Sequence, residues 1–413
     1  MGNSAGLGKS KSLVVIAIDI GTTRTGYAIS VGNQGNGVTL PTYGQMLEKD
    51  RVPTILLLKS DKTFHSFGYE AQRKYAEMKE NDRKSHVYME RIKMRLFSIQ
   101  KVDLEICDQF AFIIKHIKDL AMEAAQLLVG NLKEEHVRWV LTIPSIWTDC
   151  ARRLMTEAAN KADIVKTKLV LEPEAASLFC SGNALIDRND SVEKLPVGHK
   201  YILADLGGGT ADFVVHEILK DGDFRQIYKA SGGDFGGDTV NIQYMEFLER
   251  LFSASVLNNF KQSYADLHFE MMDDFEEKKR QFGKYGDNRG TKLTVQSALL
   301  QRFENEKKQT FKLVTLESSV SPIISFDQHS NRMEITHKQM EKFFEKSVDG
   351  IVEHLKAIIA DCKDLQIETL ILSGGYANSP YLRKKIRKYF PKYQIIVPRD
   401  PDLAVVKGAV FIG

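Results

Sequence analysis

The feature that most constrains this chain is a short turn containing aspartate and glycine, which occurs once in each half. The first copy reads Asp19-Ile-Gly-Thr-Thr and the second Asp205-Leu-Gly-Gly-Gly-Thr. Each copy lies between two short apolar runs, 13–20 and 25–31 in the first half, 201–205 and 211–218 in the second. This pattern predicts a β-hairpin in each half. The chain is therefore expected to contain an internal repeat.

The residue types of the turn suit an anion. Glycines allow the backbone to approach a phosphate closely, so that successive N–H groups point at its oxygens, and threonine hydroxyls add neutral donors. An aspartate at the strand end, Asp19 or Asp205, is placed to hold Mg²⁺ through its waters, because this ion usually keeps several of them. Two facing hairpins would hold the β- and γ-phosphates of a nucleotide from both sides.

Length and charge support this organisation. A chain of 413 residues exceeds the usual size of one hydrophobic core, and its 43% apolar and 27% charged residues are typical of a globular protein. The sequence predicts a tail at 1–12, a first lobe at 13–199 with an insertion near 40–132, and a second lobe at 200–413 with an insertion near 239–329. The polar segment 186–200 is expected to connect the first lobe to the second. A net charge of +3 does not indicate a nucleic-acid surface.

The remaining global features favour the cytoplasm. Cys107, Cys150, Cys180 and Cys362 form neither a CxxC pair nor a secreted disulfide framework, and no segment approaches the roughly 20 apolar residues of a membrane span. Near the N-terminus, 6–10 resembles the end of a P-loop but lacks its leading glycine and a preceding strand. The start at Met1-Gly2 lacks the serine or threonine expected for myristoylation.

The ordered motifs carry a family resemblance. Residues 18–23, 205–212 and 372–375 resemble the phosphate 1, phosphate 2 and adenosine motifs of the superfamily that contains actin, heat-shock chaperones and sugar kinases. Within it, 142–145, 171–176 and 401–405 resemble the 70-kilodalton heat-shock chaperones, most closely their divergent heat-shock protein 12 branch. The resemblance implies an actin-like ATPase fold, α/β in class, with two pseudo-repeated, ribonuclease H-like lobes around a nucleotide cleft.

The resemblance also implies roles for individual residues. ATP or ADP and Mg²⁺ are the implied ligands, with Asp19 and Asp205 holding the hydrated metal. The implied catalytic residues are Lys93, Glu172, Asp205, Thr210 and Asp212. The implied nucleotide-binding residues are Gly21, Thr22, Thr23, Arg24, Gly207, Gly208, Gly209, Gly236, Gly237, Asp238, Glu276, Lys279, Arg280, Gly374, Gly375, Tyr376, Asn378 and Asp402.

Two of these assignments have alternatives. Lys93 lies between Arg91 and Arg95, so a solvated basic face is the competing interpretation of a catalytic lysine. Glu276, Lys279 and Arg280 stand at helical spacing i, i+3 and i+4. They would present a ribose acceptor, an ammonium and a base-stacking guanidinium on one face, or form an ordinary ion-pair face.

Two positions, Asn378 and Arg24, depart from the chaperone pattern. Asn378 stands where those chaperones have a second arginine against the adenine, so half of the guanidinium clamp is missing and weaker nucleotide binding is expected. Tyr376 either stacks on the base in compensation or is a surface tyrosine. Arg24 replaces an aromatic residue of the first hairpin and either contacts phosphate or points to solvent.

Three functions remain compatible with the sequence. The first is a slowly hydrolysing ATPase switch domain of a divergent chaperone, the second a nucleotide-binding scaffold with little hydrolysis, and the third a small-molecule kinase, for which we find no acceptor motif. A co-chaperone or a nucleotide-exchange partner is expected. Client binding would need a separate domain, so the chain is expected to be a truncated protein or a stand-alone module. It is expected to be a monomer. The basic segment 381–390 is either a contact for acidic partners or a solvated face.

Overall fold

A computed structural model of the chain describes residues 14–32, 51–97, 99–182, 195–220, 223–285, 289–312 and 323–413, with the short strands 38–39, 185–186 and 192–193. The expected tail 1–12 and part of the polar segment 186–200 lie outside the described residues. The strands are β1 (Val14–Ile20), β2 (Arg24–Val31), β3 (Val38–Thr39), β4 (Val52–Pro53), β5 (Ile55–Leu58), β6 (Phe64–Phe67), β7 (Val87–Glu90), β8 (Val137–Ile143), β9 (Thr167–Leu171), β10 (Leu185–Ile186), β11 (Val192–Glu193), β12 (Lys200–Leu206), β13 (Ala211–Ile218), β14 (Phe224–Gly233), β15 (Thr291–Thr294), β16 (Ile324–Asp327), β17 (Arg332–Ile335), β18 (Thr369–Ser373) and β19 (Gln394–Ile396). The α-helices are Gly68–Glu77, Glu80–Ser85, Leu104–Val129, Asp149–Lys161, Glu172–Gly182, Asp238–Phe252, Ala254–Ser263, Ala265–Gln281, Ser297–Lys307, His337–Asp361, Pro380–Tyr389 and Ala404–Ile412, and 3-10 turns lie at Ile92–Leu96, Glu134–His136, Lys363–Leu365 and Gly375–Asn378.

The two main sheets share one topology. The first has the order β3-β2-β1-β8-β9 and the second the order β14-β13-β12-β18-β19. In each sheet three antiparallel strands are followed by two that add in parallel. The central strands β1 and β12 are almost continuously buried, which explains why their sequences are apolar runs rather than alternating patterns. The first sheet has one additional strand, β4, which pairs with β2. The other five strands correspond in the two sheets, and the predicted repeat of the fold is confirmed.

Each half carries an additional subdomain. In the first half, the sheet β6-β5-β7 packs with the helix Gly68–Glu77, whereas the long helix Leu104–Val129 covers β1 and β2 of the main sheet. In the second half, the sheet β15-β17-β16 joins the helices between β14 and His337–Asp361. The two subdomains meet at the buried Arg83, whose guanidinium donates to the carbonyls of Ala76 and Met78 on its own side and of Gln262 and Ser263 on the other.

Two helices cross between the main sheets. The helix Glu172–Gly182 packs against strands of both sheets. This helix begins at Glu172, and Pro173 fits its first turn because the N–H that proline lacks would have no helical partner there. The helix Ala404–Ile412, within the segment that the sequence assigns to the second lobe, packs against β1, β2 and β8 of the first sheet.

The crossing depends on a glycine. A Cβ atom on Gly408 would lie 1.7 Å from the carbonyl oxygen of Ala175, so only glycine allows the two helix backbones to approach this closely. Ala17 and Val140 of the first sheet and Leu203 and Val214 of the second belong to one apolar cluster with these helices. The two halves therefore share a core that includes residues from the middle of strands in both main sheets.

We predict that Gly408→Ala destabilises the protein, because the helices must move apart and lose contacts in this shared core. The expected loss is about 3 kcal/mol in the free energy of unfolding, measured by chemical denaturation. Gly375→Ala is the matched control, since its Cβ would meet no atom closer than 3.8 Å and its stability should be nearly unchanged. Equal effects of the two substitutions would contradict the role of the crossing.

Candidate functional site

The two glycine-rich turns close with the same hydrogen bond. Gly21 N donates to Arg24 O at 3.0 Å, and Gly207 N donates to Thr210 O at 2.9 Å. The two turns are thus equivalent in backbone geometry as well as in sequence.

The strand register places one carboxylate on the first hairpin and two on the second. Asp19 lies opposite Gly26 in the ladder of β1 and β2, whereas Asp205 lies opposite Asp212 in the ladder of β12 and β13. Both Asp19 and Asp205 lie two residues before the first glycine of their turn. Asp19 and Asp205 consequently lie near the end of a central strand and Asp212 near the start of β13, each beside a glycine-rich turn.

The loop 236–238 orients the second turn. Backbone N–H groups of Gly236, Gly237 and Asp238 donate to the carbonyls of Gly209, Gly207 and Gly208 at 3.2, 3.0 and 2.8 Å. Because the C=O and N–H of one trans peptide group point in opposite directions, the N–H groups that follow these carbonyls face away from the loop. This arrangement directs them toward an anion on the other side of the turn.

The two turns face each other across the cleft. A Cβ on Gly208 would lie 2.4 Å from Thr23 Oγ1, and a Cβ on Gly209 would lie 2.4 Å from Thr22 Oγ1. Glycine is required at both positions for this approach. The structure therefore brings together the backbone and hydroxyl donors that the sequence assigned to the two phosphate motifs, and the turns must separate for a phosphate group to enter between them.

Four carboxylates converge on this point. Asp19, Glu172, Asp205 and Asp212 are between 1% and 6% exposed. Thr142 Oγ1 donates to Asp19 at 2.8 Å, and Ser145 Oγ donates to Asp212 at 3.1 Å. Since Ser145 follows β8 of the first half and Asp212 lies on β13 of the second, the second bond joins the two halves.

Lys93 supplies a positive charge to this acidic centre. Its ammonium is buried, donates to Glu172 Oε1 at 2.5 Å and lies 5.7 Å from the centre of the Trp147 ring. The interpretation of Lys93 as part of a solvated basic face is therefore wrong. The neighbouring arginines differ, since Arg91 is 43% exposed and pairs with Asp238, and Arg95 donates to Gln109.

Burial dominates the electrostatics of the centre. It raises the pKa of Asp205 to about 7, with further increases from Asp212 and Asp19. Burial likewise raises the pKa of Glu172 to about 8, against the opposing effect of Lys93. Burial alone would lower the pKa of Lys93, but Glu172 and Asp19 raise it overall, so the lysine stays charged.

The donor set fits a hydrated magnesium ion. Four carboxylates against two cations, the ammonium of Lys93 and the guanidinium of Arg51, leave an excess of negative charge, which a divalent cation would compensate. Among the described residues no three histidine, cysteine or acidic side chains are placed to ligate a metal directly. Mg²⁺ is commonly held by one or two carboxylates together with waters and phosphate oxygens, so Asp19 and Asp205 fit the role predicted for them.

The third motif is fixed against this centre. Gly374 has a φ of 84°, and a Cβ there would lie 2.4 Å from Leu206 O and 2.8 Å from Asp205 Oδ1. Its N–H donates to Pro401 O at 2.7 Å. Gly374 is thus the backbone link between the acidic centre and the segment 400–403, which contains Asp402.

At the expected adenosine end, the three residues predicted to bind ribose and base also form ion pairs with one another. Glu276 pairs with Lys279 and with Arg280, at 2.5 and 2.9 Å. Although burial alone would raise the pKa of Glu276, these two cations lower it to about 2. Lys279 also donates to Gly237 O at 3.2 Å and therefore supports the loop 236–238, while the Arg280 side chain remains 55% exposed.

Packing and hydrogen bonding define the surroundings of Tyr376, Asn378 and Arg24. Tyr376 is buried against Phe344 and Gly237, so it is neither a surface tyrosine nor free to stack on a base. Asn378 donates to Asp402 and accepts from Arg383, both at 3.2 Å. The Arg24 guanidinium donates to the backbone carbonyl of Arg51 at 3.4 Å rather than pointing into solvent.

Sequence reasoning missed the side chains that hold the carboxylates. Thr142 and Ser145 were noted only as part of a resembling motif, and Arg51 was not noted at all. Arg51 Nη2 donates to Asp19 Oδ2 at 2.5 Å. No local pattern distinguishes this arginine, since its position at Asp19 depends on the pairing of β2 with β4.

The raised pKa of Asp205 predicts how stability depends on pH in the absence of nucleotide and metal. The unfolded carboxyl titrates near 3.8 and the folded one near 7, so the folded state binds the proton more tightly. The free energy of unfolding should therefore fall as the pH rises between these values. Asp205→Asn should reduce this fall, whereas Glu135→Gln, at an exposed position, should leave it unchanged. A wild-type profile in the Asp205 variant, measured by thermal unfolding at pH 5 to 8, would contradict the prediction.

Comparisons with known proteins agree with this geometry. A family model described as "Hsp70 protein" matches residues 90–284. Heat shock 70 kDa protein 12A of Mus musculus is 27% identical, over 97% of this chain and 69% of that protein. Heat shock 70 kDa protein 12B of Homo sapiens is 26% identical over 97% and 68%, and a mitochondrial-type heat shock protein 70 of Encephalitozoon hellem is 26% identical over 100% and 65%. Within the described residues, every helix is too short or too polar to span a bilayer. These matches support a divergent branch of the 70-kilodalton heat-shock protein family, similar to proteins 12A and 12B, and the actin-like ATPase fold that this family implies.

Proposed function

We propose that this chain is an ATP-binding and slowly ATP-hydrolysing switch domain of a divergent heat-shock-type chaperone. The observation that carries the proposal is the convergence of both glycine-rich turns on one buried centre of four carboxylates and Lys93. Backbone donors, hydroxyl donors and a charged lysine suit the β- and γ-phosphates, and the acidic excess suits their metal ion.

The chain's own residues would act by position and charge. We assign the phosphates to the N–H groups of Gly208 and Gly209 and to the hydroxyls of Thr22 and Thr23. Lys93 would neutralise the charge that develops on the transferred phosphoryl group, which is the main requirement of a loose transition state.

The attacking water is assigned to the carboxylates. Glu172 accepts from Lys93 through Oε1, and its Oε2 would accept from the water, with Asp212 and Thr210 close by. Asp212 is held by Ser145, so its orientation is set by the opposite half. Asp19 and Asp205 would hold hydrated Mg²⁺, which, when bound, would offset charge on the phosphate oxygens. We find no strong base here and propose slow turnover.

The position of the centre between the halves supports a switch. Separation of the turns would admit the nucleotide, and closure would bring Ser145 to Asp212 and Arg91 to Asp238. The four cysteines are free thiols, which supports a reducing, cytoplasmic location. We propose a monomer that works with a co-chaperone or a nucleotide-exchange partner.

A scaffold with little hydrolysis is the second candidate. The observation that favours it is Asn378, which provides no second guanidinium for the base and is already bonded to Asp402 and Arg383. Calorimetric titration with ADP and ATP in magnesium, followed by phosphate release on the same sample, separates the two. Binding with slow release supports the ATPase, binding without release supports the scaffold, and absence of binding contradicts both.

We predict that Asp205→Ala and Asp212→Ala each abolish magnesium-dependent phosphate release, with a loss of at least about 100-fold. The reason is that each removes a carboxylate at the reacting phosphate. Glu135→Gln, an exposed carboxylate substitution, should retain the wild-type rate. Unchanged turnover in both alanine variants would rule out this mechanism.

We also predict that Asn378→Arg tightens ADP binding by about 2- to 30-fold, because it supplies the missing cation for a ring face. Arg280→Ala should weaken ADP binding over the same range. Magnesium pyrophosphate is the control ligand, since it has no base and its affinity should be unchanged in both variants. Equal changes for ADP and pyrophosphate would show that the substitutions act through the fold instead.

A further inference from the structure

We infer that Arg51 is a second cation of the nucleotide site, which shares Asp19 with the metal ion and faces the phosphate-binding turn. The inference rests on the proposed function for its ligand and on contacts of Arg51 for its geometry. Asp19 Oδ2 accepts from Arg51 Nη2 at 2.5 Å, and the pair is almost entirely shielded from solvent, with side chains 14% and 6% exposed.

Arg51 also touches the turn that we assign to phosphate. Its Nη2 donates to Arg24 O at 2.8 Å and would lie 3.1 Å from a Cβ on Gly21. A guanidinium at this distance from a phosphate-binding turn can pair with phosphate oxygens, because its fork of N–H donors matches their geometry. Arg51 is therefore adjacent to both charged partners of the site, the carboxylate and the phosphate.

The arginine also reaches the other half of the molecule. Arg51 Nη1 donates to Asp402 O at 2.9 Å, in the segment whose Pro401 carbonyl accepts from Gly374. Its Nε is buried without a hydrogen-bond partner in the structure, so one donor of the guanidinium is left unsatisfied. An unsatisfied buried donor is costly, and an acceptor that enters the site would satisfy it.

The electrostatic consequence has opposite signs for the two ligands. The positive guanidinium of Arg51 beside Asp19 disfavours the binding of a divalent cation at the same carboxylate. The guanidinium and the cation compete for Oδ2 and repel each other. The same charge favours a phosphate group beside the turn. Arg51 should therefore weaken metal binding and strengthen nucleotide binding in the absence of metal, so that nucleotide affinity depends less on magnesium.

The test compares wild type with Arg51→Gln and Arg51→Lys. Binding of Mn²⁺ alone is measured by the paramagnetic resonance of the free ion, and binding of ADP in a chelator is measured by calorimetry. We expect Arg51→Gln to lower the half-saturating Mn²⁺ concentration by about threefold or more. The same variant should raise the Kd of metal-free ADP by about tenfold or more.

Arg51→Lys is the matched control, since it keeps the charge and loses the fork. Its Mn²⁺ affinity should stay near that of wild type, while its ADP affinity should lie between those of wild type and Arg51→Gln. A merely structural role would weaken both ligands together in Arg51→Gln, and this result, or an unchanged Mn²⁺ affinity, would overturn the inference. If wild type binds no ADP with or without magnesium, the proposed function fails, and the Mn²⁺ titration alone still decides whether Arg51 competes for Asp19.

Discussion

The acidic centre between the two sheets is the constraint on which the rest of the structure depends. Four carboxylates at 1% to 6% exposure would be prohibitive if each were isolated, because desolvation penalises every charged form. The chain limits this penalty with Lys93 on Glu172, Arg51 on Asp19 and hydroxyl donors on Asp19 and Asp212. The compensation remains incomplete, since the pKa of Asp205 is still raised to about 7. Such residual strain is expected where a site is built for a cationic ligand.

The duplicated fold explains how these groups meet. The central strand of each half ends at an equivalent turn, and the helices that cross at Gly408 join the two sheets through a shared core. Glycines then perform two separate tasks. Gly408 fixes the distance between the halves, whereas Gly208 and Gly209 leave room for the opposite threonines. Gly408 thereby sets the position of the cleft, whereas Gly208 and Gly209 set its width at the proposed phosphate-binding end.

The parts of this site that follow from local sequence were predictable, and those that depend on long-range packing were not. The hairpins, their turns and the ordered motifs follow from short patterns, because each turn needs particular residues at particular positions. Lys93 remained ambiguous since its burial depends on Glu172, 79 residues away. Tyr376 was misjudged for the same reason, as its burial is set by Phe344 on another helix. Arg51 could not be identified because it reaches Asp19 only after β4 pairs with β2.

The contacts between the halves involve the residues assigned to the ligand. Ser145 bonds Asp212, Arg91 pairs with Asp238 across the cleft, and Arg51 joins Asp19 to the Asp402 carbonyl. A nucleotide that engages any of these aspartates must share or replace an existing partner. Binding and closure are consequently coupled through the same atoms, and the coupling needs no separate pathway. The subdomain contact at Arg83 differs, because its four carbonyl acceptors lie on helix ends rather than on nucleotide motifs. Closure is thus supported by contacts between the subdomains that are independent of the ligand and by several others that the ligand can alter, which is the arrangement that the proposed nucleotide-controlled switch requires.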